Sequence, residues 1–418
     1  MSLPPPRCAC LKGRLHEAER RLLLQGMRQG IAITSGAAAA LAVAALGYRA
    51  WDRGAFGAPR GPAYAAWDEW RGTDADGERR PLRAAILAAS PHNTQPWRFA
   101  MSIGEVAVYA DRACHLGAFD PFRREMHLGV GCAIENFVLA ARAFGTKTEV
   151  LPTSGRLEPS PGPQPLRAAR IAIRPGEPAT SALFHAISLR HTDRGPYSEA
   201  AIEPDRLRAL AELASSPHVR LAFVTDAGAR RDLGAAIVDA TQRIIGDPQM
   251  SRDSAQWVRT GRHEILAHRD GLTLDATSAS RLTTVAGKML PDPSSDAIDR
   301  YWLMTTRDVH TASAAAFGAI LVRDRLEMAQ AIEAGRAWQR LHLAATAQGL
   351  AAQPLNQPVE ILDRSRLLGG NEELAPALAQ WFGASGWEPT FVFRLGHPTR
   401  EAPRSPRKLL EAVLTQPA

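Results

Sequence analysis

One helix-like stretch occurs twice in this chain, and that repetition limits the possible fold more than any other feature. Gly131-Cys132-Ala133-Ile134-Glu135-Asn136-Phe137-Val138-Leu139-Ala140-Ala141-Arg142-Ala143-Phe144-Gly145 aligns without gaps to residues 335–349, and seven of the fifteen positions are identical. Both segments carry apolar residues at helical spacing and end in glycine, so each predicts a buried helix closed by a glycine C-cap. Upstream, Leu87-Ala88-Ala89-Ser90-Pro91-His92 matches Leu213-Ala214-Ser215-Ser216-Pro217-His218 at five of six positions. Downstream, the strand-like run from Ile171 to Pro178 is echoed from Phe391 to Pro398. Three landmarks in the same order twice predict an α+β chain of two fused halves, residues 62–180 and 181–418, each with an antiparallel-rich sheet packed by helices.

The halves differ in length. Between the early strand near Leu221 to Thr225 and the long helix of the second half lie about a hundred residues, against about thirty in the first. The excess, near residues 246–311, holds Trp257, Ile265, Leu266, Met289, Leu290, Tyr301 and Trp302, which predicts a folded helical insertion able to cover a site.

At 418 residues the chain is long enough for two cores, and 45% hydrophobic with 22% charged residues excludes a disordered chain or a polytopic membrane protein. The net charge of +7 comes from arginines spread along the chain, with no basic run interleaved with aromatics. That pattern argues against nucleic acid and for an anionic small ligand. Cys8, Cys10, Cys114 and Cys132 give neither a disulfide framework nor zinc spacing, and Cys132 reads as a small core residue. His263-Glu264-Ile265-Leu266-Ala267-His268 is one residue too long for a zincin motif, so no metal is expected. Gly129-Val130-Gly131 reads as a helix start and not as a dinucleotide fingerprint. Residues 1–50 read as a targeting or anchor segment: Arg20-Arg21 precedes a weakly apolar stretch from Ile31 to Gly47, which resembles a twin-arginine export signal. The expected location is periplasmic or membrane-tethered, the alternative a cytoplasmic protein with a structural N-terminal helix.

Three motifs carry chemistry. In Ser90-Pro91-His92-Asn93-Thr94-Gln95-Pro96-Trp97, Pro96 predicts an extended Gln95 ahead of a strand, and Asn93 and Gln95 can both donate and accept, as a heterocycle or polyol requires. In Arg190-His191-Thr192-Asp193-Arg194, alternation along an extended segment would put Arg190, Thr192 and Arg194 on one face as a phosphate or polyol grip. The basic end Arg404-Ser405-Pro406-Arg407-Lys408 is by itself an unspecific surface charge run.

Together these motifs resemble the nitroreductase superfamily over nearly the whole chain after Trp67, and the tandem arrangement resembles its Acg-like branch. The resemblance implies FMN as cofactor and an intramolecular pseudo-dimer in place of the usual two subunits. It implies that Arg190, His191, Thr192 and Arg194 grip ribityl and phosphate, with Arg407 and Lys408 as a further phosphate contact. Ser90, Pro91, Asn93 and Gln95 would lie along ring and ribityl. Pro354, Leu355, Asn356 and Gln357 resemble the segment whose backbone N–H faces flavin N5, although the family usually has Glu-Gly where this chain has Asn356-Gln357. Only the first half has the Asn-x-Gln-Pro-Trp turn and only the second has the arginine grip, which implies one FMN per chain in a monomer. The implied activity is ping-pong hydride transfer from NAD(P)H through FMN to a nitroaromatic or quinone, the alternative a flavin-sequestering protein whose insertion occludes the site. No side-chain acid or base is implied for the chemistry.

Overall fold

The computed structural model describes residues 40–57, 59–159, 162–277 and 279–416, together with residues 21, 25 and 38. Arg20 and most of the apolar stretch from Ile31 lie outside the described residues, as do Cys8 and Cys10.

In chain order the strands are β1 (Trp97–Ser102), β2 (Glu105–Ala110), β3 (Thr146–Pro152), β4 (Leu166–Pro175), β5 (Val219–Val224), β6 (Val258–Arg259), β7 (Leu272–Thr273), β8 (Ala316–Val322), β9 (Ala351–Pro354), β10 (Glu388–Gly396) and β11 (Leu414–Thr415). One sheet has the order β11-β1-β2-β4-β3 and another β5-β8-β10-β9, while β6 and β7 pair separately. If β5, β8, β9 and β10 are set against β1 to β4, both sheets run first, second, fourth, third. All pairings within these two sets are antiparallel, and β11 adds in parallel beside β1. In each half a 20-residue helix, Arg124–Ala143 or Met328–Ala347, joins the second strand to the third. Gly145 and Gly349 follow these helices at φ +80° and +72°, the left-handed conformation expected of a glycine stop.

The two long helices pack against each other between the sheets, and a single apolar core runs through both halves. Their crossing point consists of glycine on both sides. A Cβ on Gly131 would lie 2.2 Å from the Ile332 carbonyl oxygen, and one on Gly335 would lie 2.0 Å from that of Leu128. Gly129 and Gly131 thus sit well inside their helix and not at its start, because what they provide is close backbone approach. Cys132, buried as expected, donates from Sγ to the Gly335 carbonyl at 3.2 Å, and Gln339 Nε2 donates to Asn136 Oδ1 at 2.8 Å.

β2 alternates buried Val106, Val108 and Ala110 with more accessible residues, as a sheet covered on one face requires. β8 is buried along its whole length, because the helices Ala227–Gly246 and Gln357–Leu367 cover its second face with Leu233, Ile237, Val359 and Leu362. The halves also differ before their first strands. β5 begins two residues after Pro217 and β1 six after Pro91, so the Asn-Thr-Gln-Pro turn is deleted from the second half and not replaced there.

The segment after Gly246 folds into short helices, among them Pro248–Ala255, Arg262–His268, Arg281–Met289 and Ser295–Thr305. Asp247, Ser280 and Ser294 cap three of them by accepting backbone N–H bonds. This insertion reaches back across the first half: Ala118 N donates to Asp253 Oδ2 at 2.7 Å, and Trp257 Nε1 to the His115 carbonyl at 3.2 Å.

Candidate functional site

A cavity of about 780 Å³ lies where the two halves and the insertion meet, a size typical of small-molecule sites. Its wall takes Ser90, Pro91 and His92 from the first half, Thr192, Arg194 and residues 354–357 from the second, and apolar side chains from the insertion.

The turn before β1 is strained. His92, Asn93 and Gln95 have φ of +45°, +56° and +51°, conformations that cost of order 1–3 kcal/mol each unless their surroundings hold them. Here the holding bonds are explicit. Gln95 N donates to Ser90 Oγ at 3.1 Å, and Asn93 Nδ2 donates to the carbonyls of Gly271 at 3.2 Å and Pro406 at 3.0 Å. Gln95 Nε2 donates to the Arg269 carbonyl at 2.8 Å, while its Oε1 accepts from Lys408 N at 2.8 Å. Gln95 is therefore not extended. Asn93 and Gln95 do not line the cavity either: their amide donors and the Gln95 oxygen are satisfied on backbone, and Asn93 Oδ1 accepts from Arg407 NH1. Both are positioning residues: they tie the turn to the insertion and to the C-terminal basic segment, and this turn presents Ser90, Pro91 and His92. His92 Nε2 lies 2.9 Å from Ser254 Oγ, and burial, aided by Arg194, lowers its pKa to about 4, so the ring is neutral.

The arginine segment divides. Residues 190–194 form no regular strand, so the expected one-sided grip is not made. Thr192 and Arg194 reach the cavity, and Arg194 NH1 donates to the Ala276 carbonyl of the insertion at 3.0 Å. Arg190 turns away to meet Arg407. Their guanidinium groups share one acceptor, the Leu87 carbonyl, at 3.1 Å and 3.3 Å. Arg190 is 2% exposed and Arg407 3%, and among the described residues neither makes a salt bridge to a carboxylate. The Nε atom of each is buried without a hydrogen-bond partner. Burial pulls Arg190 down to about 10 and Arg407 well below its usual value, with Arg190 adding repulsion to Arg407. Two buried cations side by side cost several kcal/mol each without a counter-charge, which makes this pair a candidate anion site.

The surroundings of this pair are ordered. Arg407 stands over the Trp67 ring at 4.7 Å, Trp67 Nε1 donates to the Ser405 carbonyl at 2.8 Å, and His191 meets the same ring edge-on at 4.5 Å. Burial, then Arg190 and Arg407, hold His191 down at about 3, so it is a neutral wall and not a further cation. Lys408 does not join the pair: its Nζ donates to the Thr94 carbonyl at 2.9 Å and Cys114 Sγ at 3.3 Å. Nothing in the sequence around Trp67 signalled this role.

The far wall holds a group that sequence reasoning missed. Asn356 accepts from Val392 N at 3.0 Å and donates from Nδ2 to Glu125 Oε1, so its side chain is structural, while Gln357 Oε1 is buried without a partner. Glu125 and Glu360 both line the cavity and lie beside each other. Burial raises Glu125 to about 6 and, with Glu125 beside it, raises Glu360 well above the usual range, so the pair shares one proton. They lie in different halves, and no local motif announces them. Because the folded value of Glu125 exceeds the unfolded 4.5, its contribution to stability is complete below about 4.5 and is lost as pH rises through about 6. Glu125→Gln should remove that loss: its stability relative to the parent should rise by about 2 kcal/mol between about pH 4 and pH 8 in urea titrations. Parallel pH curves for parent and variant would refute the shared proton.

No metal-binding group of His, Cys, Asp or Glu occurs among the described residues, His263 and His268 included. No family model matches the chain. A Mycobacterium tuberculosis protein provisionally named an NAD(P)H nitroreductase is 27% identical over 349 residues, covering 82% of this chain and 92% of that protein. A second from that organism, provisionally named NAD(P)H nitroreductase acg, is 36% identical over 122 residues, or 28% of this chain and 35% of its own. Among solved structures, the FMN-dependent nitroreductase NfnB of Mycobacterium smegmatis in complex with NADPH aligns at 20% identity with TM-score 0.35, over 57% of this chain and 98% of that one. A provisionally named nitroreductase of Anabaena variabilis aligns at 11% identity with TM-score 0.44, over 80% and 91%. At such scores the structural likeness carries no weight of its own.

Proposed function

We propose, on the premise that this chain is of the nitroreductase superfamily, that it is an NAD(P)H-dependent flavin oxidoreductase holding one FMN per chain. The observation that carries this reading is the pair of buried, carboxylate-free guanidinium groups of Arg190 and Arg407, held on the carbonyls of Leu87 and Ala88, which directly precede Ala89 and Ser90 in the wall of a cavity large enough for a flavin. These two arginines would hold the phosphate. Ser90 and Thr192 would face the ribityl chain, and Pro91 with residues 354–357 would border the ring, with Arg194 at the ring end. When bound, FMN supplies the hydride chemistry. The protein binds and orients it, keeps cations near the anionic form of the reduced ring and excludes water through the insertion. NAD(P)H and an electron-poor acceptor would occupy the same cavity in turn.

A second reading, flavin storage without turnover, draws on the bonds from Ser254, Arg269 and Gly271 that fasten the insertion over the site. Purified protein should show flavin absorbance, and denaturation should release FMN, not riboflavin or FAD, at a molar ratio near one. Oxidation of NADH or NADPH with menadione or nitrofurazone should be saturable. Protein that neither carries nor takes up FMN would sink both readings, and bound FMN without turnover would leave storage.

A further inference from the structure

We propose that the acceptor is a quinone with a hydrocarbon tail, drawn from a lipid bilayer on which the cavity mouth is seated by the helix at residues 40–52. This rests on the oxidoreductase reading of the same cavity. From Ile31 to Tyr48 the sequence has eighteen residues without a charge. In the described part, residues 40–48 are helical and exposed on every side, with Leu41 at 72%, Val43 at 70% and Leu46 at 55%. A helix that is apolar all round is buried in something, and among the described residues nothing covers this one. Insertion into a lipid leaflet would bury the apolar side chains of its described turns.

The flanks identify a lipid surface as the occupant. Six basic residues, Arg7, Lys12, Arg14, Arg20, Arg21 and Arg28, precede the uncharged stretch, and Arg49 and Arg53 follow it, as anionic headgroups would attract. Tyr48 and Trp51 stand at the change from apolar to basic, with ring centroids 6.0 Å apart and both exposed, the interfacial position such rings favour.

The basic end of this helix is fastened to the rim of the cavity. Arg49 Nε donates to the Met289 carbonyl at 3.0 Å, Arg53 pairs with Asp292 at 2.8 Å, and Lys288 Nζ donates to the Gly54 carbonyl at 3.1 Å. Arg53, Leu290 and Asp292 line the cavity, yet Leu290 is 62% exposed, so the cavity reaches the surface at the point where the helix attaches. Leu282, next to the cavity-lining Thr283, and Phe56, two residues after Gly54, add exposed apolar side chains. Inside, the insertion presents Val258, Leu272, Leu274, Ile298 and Trp302, which suit a hydrocarbon chain better than a polar acceptor. The reaction balances as NAD(P)H plus quinone plus one proton from solvent giving NAD(P)⁺ plus hydroquinone, two electrons passing with the hydride.

The full chain, loaded with FMN, should float with phosphatidylglycerol vesicles. The variant Leu41→Asp with Leu46→Asp should stay in the dense fraction. With NAD(P)H, the parent should reduce both tailless menadione and a long-tailed menaquinone embedded in those vesicles. The variant should keep the menadione rate and lose the embedded quinone by about tenfold or more, since seating strength follows the apolar area buried. A parent that does not float, or a variant that reduces embedded menaquinone as fast as the parent, overturns the proposal. Reduction of menadione but not of embedded menaquinone by the parent overturns the substrate assignment alone, whereas failure with both overturns the oxidoreductase reading beneath it.

Discussion

Arg407→Met should bind FMN about ten- to a hundredfold more weakly than the parent chain while binding riboflavin nearly as well, because a charge-assisted bond is worth about 1.5–3 kcal/mol and riboflavin has no phosphate to lose. Arg190→Met should behave in the same way, since its guanidinium shares the Leu87 carbonyl with that of Arg407. Arg407→Lys should fall between, as an ammonium keeps the charge but not the paired donors. Arg194→Met is the contrasting case. It faces the cavity beside His92 and the insertion, apart from the other two arginines, so its loss should weaken FMN and riboflavin alike. Titration of apo-protein with both flavins, followed by fluorescence, measures the ratio. If Arg407→Met loses both ligands equally, the buried pair is not a phosphate site, and if Arg194→Met is selective for FMN, the phosphate sits at the other end.

The second large effect lies at the helix crossing. In an isolated helix, glycine to alanine gains about 1 kcal/mol of propensity. At Gly335 the new methyl would meet the Leu128 carbonyl oxygen at 2.0 Å, and at Gly131 that of Ile332 at 2.2 Å. Both obstacles are backbone, so relief requires the helices to move apart, which stretches the Gln339–Asn136 bond and opens the core. Overpacking of this kind costs about 1–3 kcal/mol and sometimes more; with rigid neighbours on both sides, Gly335→Ala should lose at least about 3 kcal/mol net. The double variant should lose less than the sum of its parts, because one separation relieves both clashes. Chemical denaturation of the two single variants and the double variant checks this, and a Gly335→Ala chain within about 1 kcal/mol of the parent would mean that the helices are not packed so closely.

How much of this was legible beforehand depended on whether the signal was local. The long helices and their stops could be read because helical periodicity and a terminal glycine are properties of neighbouring residues, and Gly145 and Gly349 adopt the expected conformation. The α+β arrangement followed from the repeat of those local signals. Arg190 and Arg407 could be singled out by motif, but their meeting at one carbonyl could not. Arg190 and Arg194 do not share one face because alternation holds only in a regular strand, and residues 190–194 are not one. Asn93 and Gln95 announced hydrogen-bonding capacity without announcing partners, which turned out to be carbonyls more than 170 residues away in the chain. Glu125 and Glu360 were invisible for the same reason, each being an ordinary helix residue until the other half is folded against it.

The turn at residues 90–95 also imposes an order of events during synthesis. It is made early, yet its clamps are the carbonyls of Arg269, Gly271 and Pro406 and the N–H of Lys408, all translated later. The last clamps leave the ribosome just ahead of β11, which then lies beside β1. Until those residues emerge, Arg190 has no Arg407 beside it and the turn has no reason to keep its left-handed backbone. A nascent chain therefore brings Arg407 to Arg190 only after the second half has been translated, so their meeting reports that both halves are present.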